Sequence, residues 1–489
     1  MNKFLNKMKK FSSQTIYVAL LLTLGSCGDF LSENPDNRVE LNTTTKAAQL
    51  LTNAYASGAY TFTEWMSDNV NYTLGTTKLT EHNQAYAWQD ITSVEQDTPT
   101  NFWETTYSAI AHANEVLAVI DDLKGDEAER DAVRGEALLT RAYGHFMLVN
   151  LFAKHYNEQT AASDAGIPYV EEPETVFVKQ YDRHSVQEVY DKVERDLLDG
   201  LELVNGSFYA NSGKYHFTRN AALAFASRFY LFKADIDKCI EYSTQMLGAD
   251  PGVFVKDLPS ILQDYSNTDE FLRLLTSPAD QSNLLLIRNV TNFPVTVGYW
   301  PNINLINNLY LVNPFSAEDV RRSDRYPIFQ RGTNGLTVAK YEFLFERSSL
   351  TSNVGLYYTI MPVFRGEEVL LNRAESYAFD NELDLAIADL QFYVDKRYFE
   401  KPVITISDLR NHYNASSDQL AVLSFILDER RKEFIHEGLR WFDIKRFGLV
   451  VGHDTEDGGL IILEENDPRK VLQIPQAAID VGGLEPNPR

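Results

Sequence analysis

Residues 428–447 read DERRKEFIHEGLRWFDIKRF. Eleven of the twenty are charged, and the signs nearly cancel: Asp428, Glu429, Glu433, Glu437 and Asp443 stand against Arg430, Arg431, Lys432, Arg440, Lys445 and Arg446. Ile426, Arg430 and Phe434 fall on one helical face, with Glu429 and Glu433 one turn apart beside it. Gly438 is the expected stop, because glycine enters the left-handed conformation of a helix end at least cost. A second short segment then begins, anchored by Trp441, Phe442, Ile444 and Phe447. Guanidinium groups beside carboxylates at such a corner predict a partly buried ion network that fixes one geometry. Its members are Glu429, Arg430, Glu433, Glu437, Arg440, Asp443 and Arg446.

Upstream, two stretches repeat each other. Leu223, Ser227, Tyr230 and Cys239 have the same offsets as Leu370, Ala374, Tyr377 and Ala386. Small residues at these places let paired helices approach closely, as in tetratricopeptide repeats of ~34 residues. Residues 218–248 and 366–397 are therefore expected to be helix pairs, with 134–152 and 185–204 a third pair widened by a loop. This makes Cys239 a small core residue rather than a nucleophile. Amphipathic helices are also expected over 44–55, 102–123 and 128–156. Between the helical units, residues 69–100 and 276–359 are rich in Asn, Thr, Ser, Gly and aromatics. Loops this long inside a compact body usually carry function. The predicted fold is mainly α: tetratricopeptide-like helix pairs form a superhelical scaffold that displays a long, irregular, loop-rich face.

Four stretches in order resemble one family. ERRKEFIHEGLRWFDIKRFG is similar to the C-terminal signature of the SusD/RagB family, nutrient-capturing outer-membrane lipoproteins of Bacteroidota. RGEALLTRAYGHFMLVNLF at 134–152, followed by Gly166-Ile167-Pro168, is similar to its N-terminal helix. MPVFRGEEVLLNRAESYA at 361–378 resembles its central helix, with Gly366-Glu367 in place of a more usual aromatic-small pair. Gln473-Ile474-Pro475-Gln476 and Asn487-Pro488 resemble its tail. The resemblance implies a loop-built ligand face and a partner, a SusC-like TonB-dependent transporter of the outer membrane.

The opening residues agree with surface export. Lys3, Lys7, Lys9 and Lys10 precede an apolar run at 16–24 and then Gly25-Ser26-Cys27. A basic lead, a short hydrophobic run and small residues describe an export signal. The run is far short of the ~20 residues of a spanning helix. Residues 1–26 are thus expected to be a lipoprotein signal, Cys27 the lipidated residue, and 27–40 a polar tether. A single body follows over 41–489, its SusD-like N-terminal part at 41–215 and its RagB/SusD-type part at 216–489. Cleavage before Cys27 would remove four lysines and no acids, moving the formal charge from -24 to -28. That excludes nucleic acid as a broad-face partner, which needs a basic footprint.

Catalytic signatures are sparse. There is no Gly-rich phosphate loop, nucleophile elbow or HExxH, and no metal or cofactor is expected. Glycan hydrolysis needs two carboxyl groups about 5 to 9.5 Å apart, for which Glu429/Glu433 and Glu367/Glu368 are available. Arginines beside the first pair would keep both ionised and leave no proton to donate. Binding chemistry is better supplied. Sugar rings stack their C–H faces on flat aromatic side chains, and their hydroxyls need amide or carboxylate partners. The candidates are Trp65, Asn69, Tyr72, Tyr86 and Trp88 in one loop region, and Tyr299, Trp300 and Asn302 in the other. Trp103 and Trp441 fall on amphipathic helices and are assigned to the core. The expected function is capture of an oligosaccharide, without chemical change, for delivery to the transporter. The rival readings are a surface glycosidase or peptidase, and a peptide-binding or scaffold member of the same fold.

Overall fold

Helix α1 (Thr44–Leu51) starts where the Thr43 side chain accepts the Lys46 amide. In the computed structural model, which describes residues 41–489 except 177–178, 211 and 294–297, residues 43–489 form one unit. The export signal at 1–26, Cys27 and the 27–40 tether lie outside the described residues.

Long helices carry the architecture, and those between residues 99 and 247 begin on side-chain caps. In α3 (Pro99–Val119) the cap is Thr98 with proline at the first position, and in α4 (Glu127–Phe152) it is Asp126. Helix α5 (Val186–Leu203) opens with a reciprocal Ser185–Glu188 capping box. Helices α6 (Arg219–Lys233) and α7 (Ile236–Leu247) follow, then α11 (Gly366–Phe379) with α12 (Leu383–Val394), and α13 (Ile406–Tyr413) with α14 (Asp418–Glu433). Successive helices pack side by side from α3 through α7, then α11 joins α7 to α12 and α14. The repeat read from sequence lies at the α6–α7–α11 junction. Ser227 Oγ is 2.8 Å from Ser243 Oγ and accepts Asn372 Nδ2 at 3.1 Å, and Cys239 is fully buried beside them. Helices α4 and α5 touch backbone to backbone: a Cβ on Gly135 would sit 2.7 Å from Val204 N, and one on Gly200 2.9 Å from Gly135 O.

The region expected to be irregular over 276–359 is instead partly sheet. Strands β1 (Asn283–Val290), β4 (Leu344–Arg347) and β5 (Gly355–Arg365) form an antiparallel sheet in the order β1-β5-β4, and β2 (Ile328–Arg331) pairs with β3 (Gly335–Val338). The run NLLLIRNV is buried on both faces along most of its length, so it shows no two-residue alternation in sequence. Short helices also occupy supposed loop, notably α2 (Thr80–Tyr86) and α10 (Ile303–Leu311). Strand β5 runs directly into α11, so only residues 366–379 of the supposed central helix are helical. A Cβ on Gly366 would lie 2.1 Å from Phe254 O, which accounts for glycine at the place where the family pattern has a larger residue.

The charged corner departs from expectation at one point. Helix α14 ends at Glu433, before Gly438, and the chain turns through His436 (φ 67°) and Gly438 (φ 77°) into α15 (Arg440–Arg446). This turn wraps the buried carboxyl of Glu64, which accepts His436 N at 2.6 Å, Gly438 N at 3.3 Å and Asn69 Nδ2 at 3.0 Å. Six of the seven residues named for the network are buried, and Arg446 is half-buried. Glu433 accepts Arg397 Nε at 2.8 Å, Arg365 Nη1 at 3.3 Å and Tyr393 OH at 2.8 Å, with Arg321 Nη1 at 3.4 Å. Glu429 accepts Arg321 Nη2 and Lys432 Nζ, both at 2.7 Å. Glu437 takes Arg365 Nη2 between its two carboxylate oxygens, and Asp443 meets Arg430 and Arg446. Arg440 forks onto Asp68 with both bonds at 2.9 Å. Burial opposes ionisation of Glu433, yet Arg397 and Arg365 hold its carboxyl well below the ordinary range. The same competition, decided by Lys432 and Arg321, brings Glu429 down to about 2.

Stability outcomes follow from this corner, with an exposed ion pair elsewhere for contrast. Glu433→Gln leaves three guanidinium groups short of an anion and should cost about 3–5 kcal/mol in urea unfolding. Arg134→Ala, which breaks the exposed pair with Asp121, should cost no more than about 1 kcal/mol. Burial raises the Glu64 carboxyl from 4.5 to about 7, against the bonds from His436, Asn69 and Gly438. The folded chain therefore binds one proton more than the unfolded chain between those values, and stability drawn from that proton is lost as pH rises through the window. Relative to Glu64→Gln, the wild type should lose about 3 kcal/mol between pH 4.5 and 7 and no more above it.

Candidate functional site

Three loop segments are stitched together beside the corner. Asn71 N donates to Trp300 O at 3.0 Å, and Trp300 N donates to Thr73 Oγ1 at 2.7 Å. Asn302 N donates to Asn71 Oδ1 at 3.1 Å, while Asn302 Oδ1 caps α10 by accepting Leu305 N at 2.9 Å. Leu336 N on β3 donates to Pro301 O at 2.8 Å, which brings the β2–β3 hairpin against the same segment.

A recess opens on either side of this seam. The polar one, about 480 Å³, is lined by Asn71, Asn302, Asn304 and Asn308, by Asp428 and Arg431 of α14, and by Leu305 and Leu309. Asn304 and Asn308 are four residues apart on α10, so they share its exposed face. Arg431 donates Nε to Asn69 Oδ1 at 2.8 Å and Nη2 to Asp68 O, and Asp428 accepts Tyr413 OH at 2.8 Å. The second recess, about 340 Å³, is walled by the rings of Phe293, Trp300, Phe329, Tyr341, Phe343 and His436 and rimmed by Asp269, Arg331, Lys340 and Glu342. Its floor is an aromatic cluster: Phe293 lies 5.3 Å from Trp300 and 5.4 Å from Trp65, and His436 lies 5.4 Å from Trp300.

Most of the aromatics predicted to meet ligand are elsewhere. Trp65 is buried against His82 at 4.3 Å and against Gly298, where a Cβ would lie 2.7 Å from its Nε1. Tyr299, Tyr86, His453 and Trp88 form one continuous buried stack with ring separations of 3.7, 4.2 and 4.4 Å. Its polar tips are satisfied inside: Trp88 Nε1 by Met66 O, Tyr86 OH by Asp454 O, and Tyr299 OH by Asn83 Oδ1. Trp88 is held at φ 53°, a strained conformation for so large a residue. Asn69 is fully buried, with both ends of its amide engaged by Glu64 and Arg431. Trp65, Asn69, Tyr86, Trp88 and Tyr299 are therefore the core beneath the loops, because segments this long need a hydrophobic interior of their own. Tyr72 is half-buried, with Lys78 Nζ 4.7 Å above its ring. Of the eight candidates, Trp300 and Asn302 line these two recesses. Phe329, Phe343 and Asn308 were not singled out from sequence, and Asp428 was named only as a charge of the corner. The 304/308 spacing on an amphipathic helix was the signal available for the asparagines.

The carboxylates weighed for catalysis are all committed. Glu368 forms two 2.6 Å bonds with Arg228, and Glu367 accepts Lys256 N at 2.8 Å and meets Arg397. Glu429 and Glu433 are held ionised by their basic neighbours and have no proton to give at neutral pH.

Comparison with known proteins agrees with this architecture. Residues 29–231 match the family described as starch-binding, associating with outer membrane, and residues 326–481 match the SusD family. A curated relative, SusD-like protein P2 of Formosa agariphila, is 23% identical over 90% of this chain and 91% of its own length. A SusD superfamily structure from Bacteroides thetaiotaomicron superposes with a TM-score of 0.67 at 20% identity, covering 91% of this chain and 100% of that one. A putative sugar binding protein from Bacteroides vulgatus gives the same TM-score at 21% identity, over 92% and 99% of the two chains. The two family matches bracket the helix array and the charged corner, and the fold agrees along nearly the whole body: the chain belongs to the SusD family of non-catalytic binding proteins.

Proposed function

We propose that this protein captures a neutral oligosaccharide at the paired recesses beside Trp300 and passes it on unchanged. The observation that carries the reading is the juxtaposition of four asparagine side chains in one recess with a wall of aromatic rings in the next. Amides serve as donor and acceptor to sugar hydroxyls, and rings take the C–H faces of the same sugar. Arg431 is the one cation lining the amide recess, and it is already turned onto Asp68 and Asn69. With Asp428 beside it, that recess has little to offer an acidic sugar. Solved relatives named as sugar- or carbohydrate-binding support the ligand class.

The protein would be lipidated at Cys27 and held on the outer face of the outer membrane by its 27–40 tether. There it would sit against a SusC-like TonB-dependent transporter. Stacked helix pairs make extended protein-binding surfaces, so the array of α3 to α7 with α11 to α14 is the side for that contact. A peptide ligand is the second reading, since the same amides could pair with an extended backbone.

Calorimetry against a panel of neutral oligosaccharides and short peptides tests the site. Asn304→Ala with Asn308→Ala, and separately Phe329→Ala, should each weaken glycan binding about 5- to 20-fold, as loss of one or two net hydrogen bonds or one ring contact implies. Melting temperature should stay near that of the wild type. Unchanged glycan affinity in both variants would remove the site, and binding confined to peptides would favour the second reading. Trp88→Ala should behave differently, losing about 3–5 kcal/mol of stability as a core truncation does.

A further inference from the structure

Beyond the aromatic recess the β4–β5 hairpin carries rings out into solvent. Phe343, in the recess wall, stacks on Tyr357 with centroids 4.7 Å apart and planes 16° from parallel. Tyr357 is the direct cross-strand partner of Phe345, at 4.7 Å. Neighbours across an antiparallel pair share one face, so the three rings form a single row leading away from the recess. Phe345 is 41% exposed. Its ring lies over Gly355, where a Cβ would come within 2.8 Å of Phe345 Cζ and 2.1 Å of Glu346 O. Glycine is required there chiefly because the Glu346 carbonyl leaves no room for a Cβ, and its absence lets the Phe345 ring lie against the strand backbone on one side.

The opposite face of the hairpin is differently built. Arg288 sits 4.1 Å over the Tyr358 ring and pairs with Glu346. The row of rings is thus one-sided and continuous with a recess, its outermost ring tilted 50° from the middle one, a shape that accepts a chain of stacked units better than an inserted knob.

We propose that the Phe343–Tyr357–Phe345 row is an extended stacking platform for the outer units of the same oligosaccharide, so that the protein selects for chain length. This rests on the ligand class argued for the recess. A small sugar would fill the recess alone, and a longer one would also lie along the hairpin and gain one ring contact for each further unit.

The test uses the full mature chain and disaccharide, tetrasaccharide and hexasaccharide members of the neutral α-1,4-glucan, β-1,4-glucan, β-1,4-mannan and β-1,4-xylan series. Wild-type affinity should rise with length in the series that binds. Phe345→Ala and Tyr357→Ala should each reduce hexasaccharide affinity about 3- to 10-fold, the size expected of one aromatic contact, and leave disaccharide affinity unchanged. Phe345→Trp should keep or steepen the rise. A length dependence identical in wild type and both alanine variants would overturn the platform, while recess variants could still abolish binding and leave the recess reading intact. Wild type that binds no sugar of any length would instead remove the ligand class, and the platform with it. Loss of transporter binding in Phe345→Ala, with glycan affinities unaltered, would reassign the rings to a protein contact.

Discussion

Glu433 carries a negative charge into the interior and is met there by the guanidinium groups of Arg321, Arg365 and Arg397. These come from four separate parts of the chain: the segment after α10, the junction of β5 and α11, the end of α12, and the end of α14. A charge taken from water without partners costs several kcal/mol even after relaxation, so none of the four can leave without stranding the others. Helix array and loop face are held in one relation by that condition. The same logic extends outward through Glu429, Glu437 and Asp443, and then through Arg440 to Asp68 on the segment that carries Asn69 and Asn71. The binding seam thereby inherits its position from the ion network.

How much of this was legible in sequence depended on distance along the chain. The seven network residues could be named because their charges are crowded into twenty positions and can balance locally. Their partners Asp68, Arg321, Arg365 and Arg397 could not, because no spacing rule connects residues that meet only in the folded state. The helix repeat was readable from Ser227 and Cys239 and their equivalents, since close packing demands small side chains at a fixed period. Aromatics in long loops misled for a physical reason. An Asn- and Thr-rich segment needs buried rings to be ordered at all, and Trp65, Tyr86 and Trp88 supply that interior. Burial on both faces likewise erased the alternation that would have announced β1.

The ligand surface that results is made of parts with unequal rigidity. Asn71 and Asn302 are bonded to one another and to the backbone of the seam, whereas Asn304 and Asn308 project from one exposed helical face. The first pair shapes the recess, and the second can adjust to hydroxyls of differing orientation. Rings in the second recess rest on Trp65 and Phe293, so their positions are set from below.

Three contacts at the corner join the two ends of the body. Thr63 reaches Gly438, Glu64 reaches His436 and Asp68 reaches Arg440, each across more than 370 residues of sequence. The entropy of closing so large a loop grows only slowly with its length, but such distant pairings retard folding. A chain emerging N-terminus first must therefore hold its 63–68 segment without these partners until residues 436–440 have arrived. Its Trp65–Trp88 segment is left uncovered throughout that wait, and this interval, rather than any weakness of the finished body, is when the protein is most exposed to self-association.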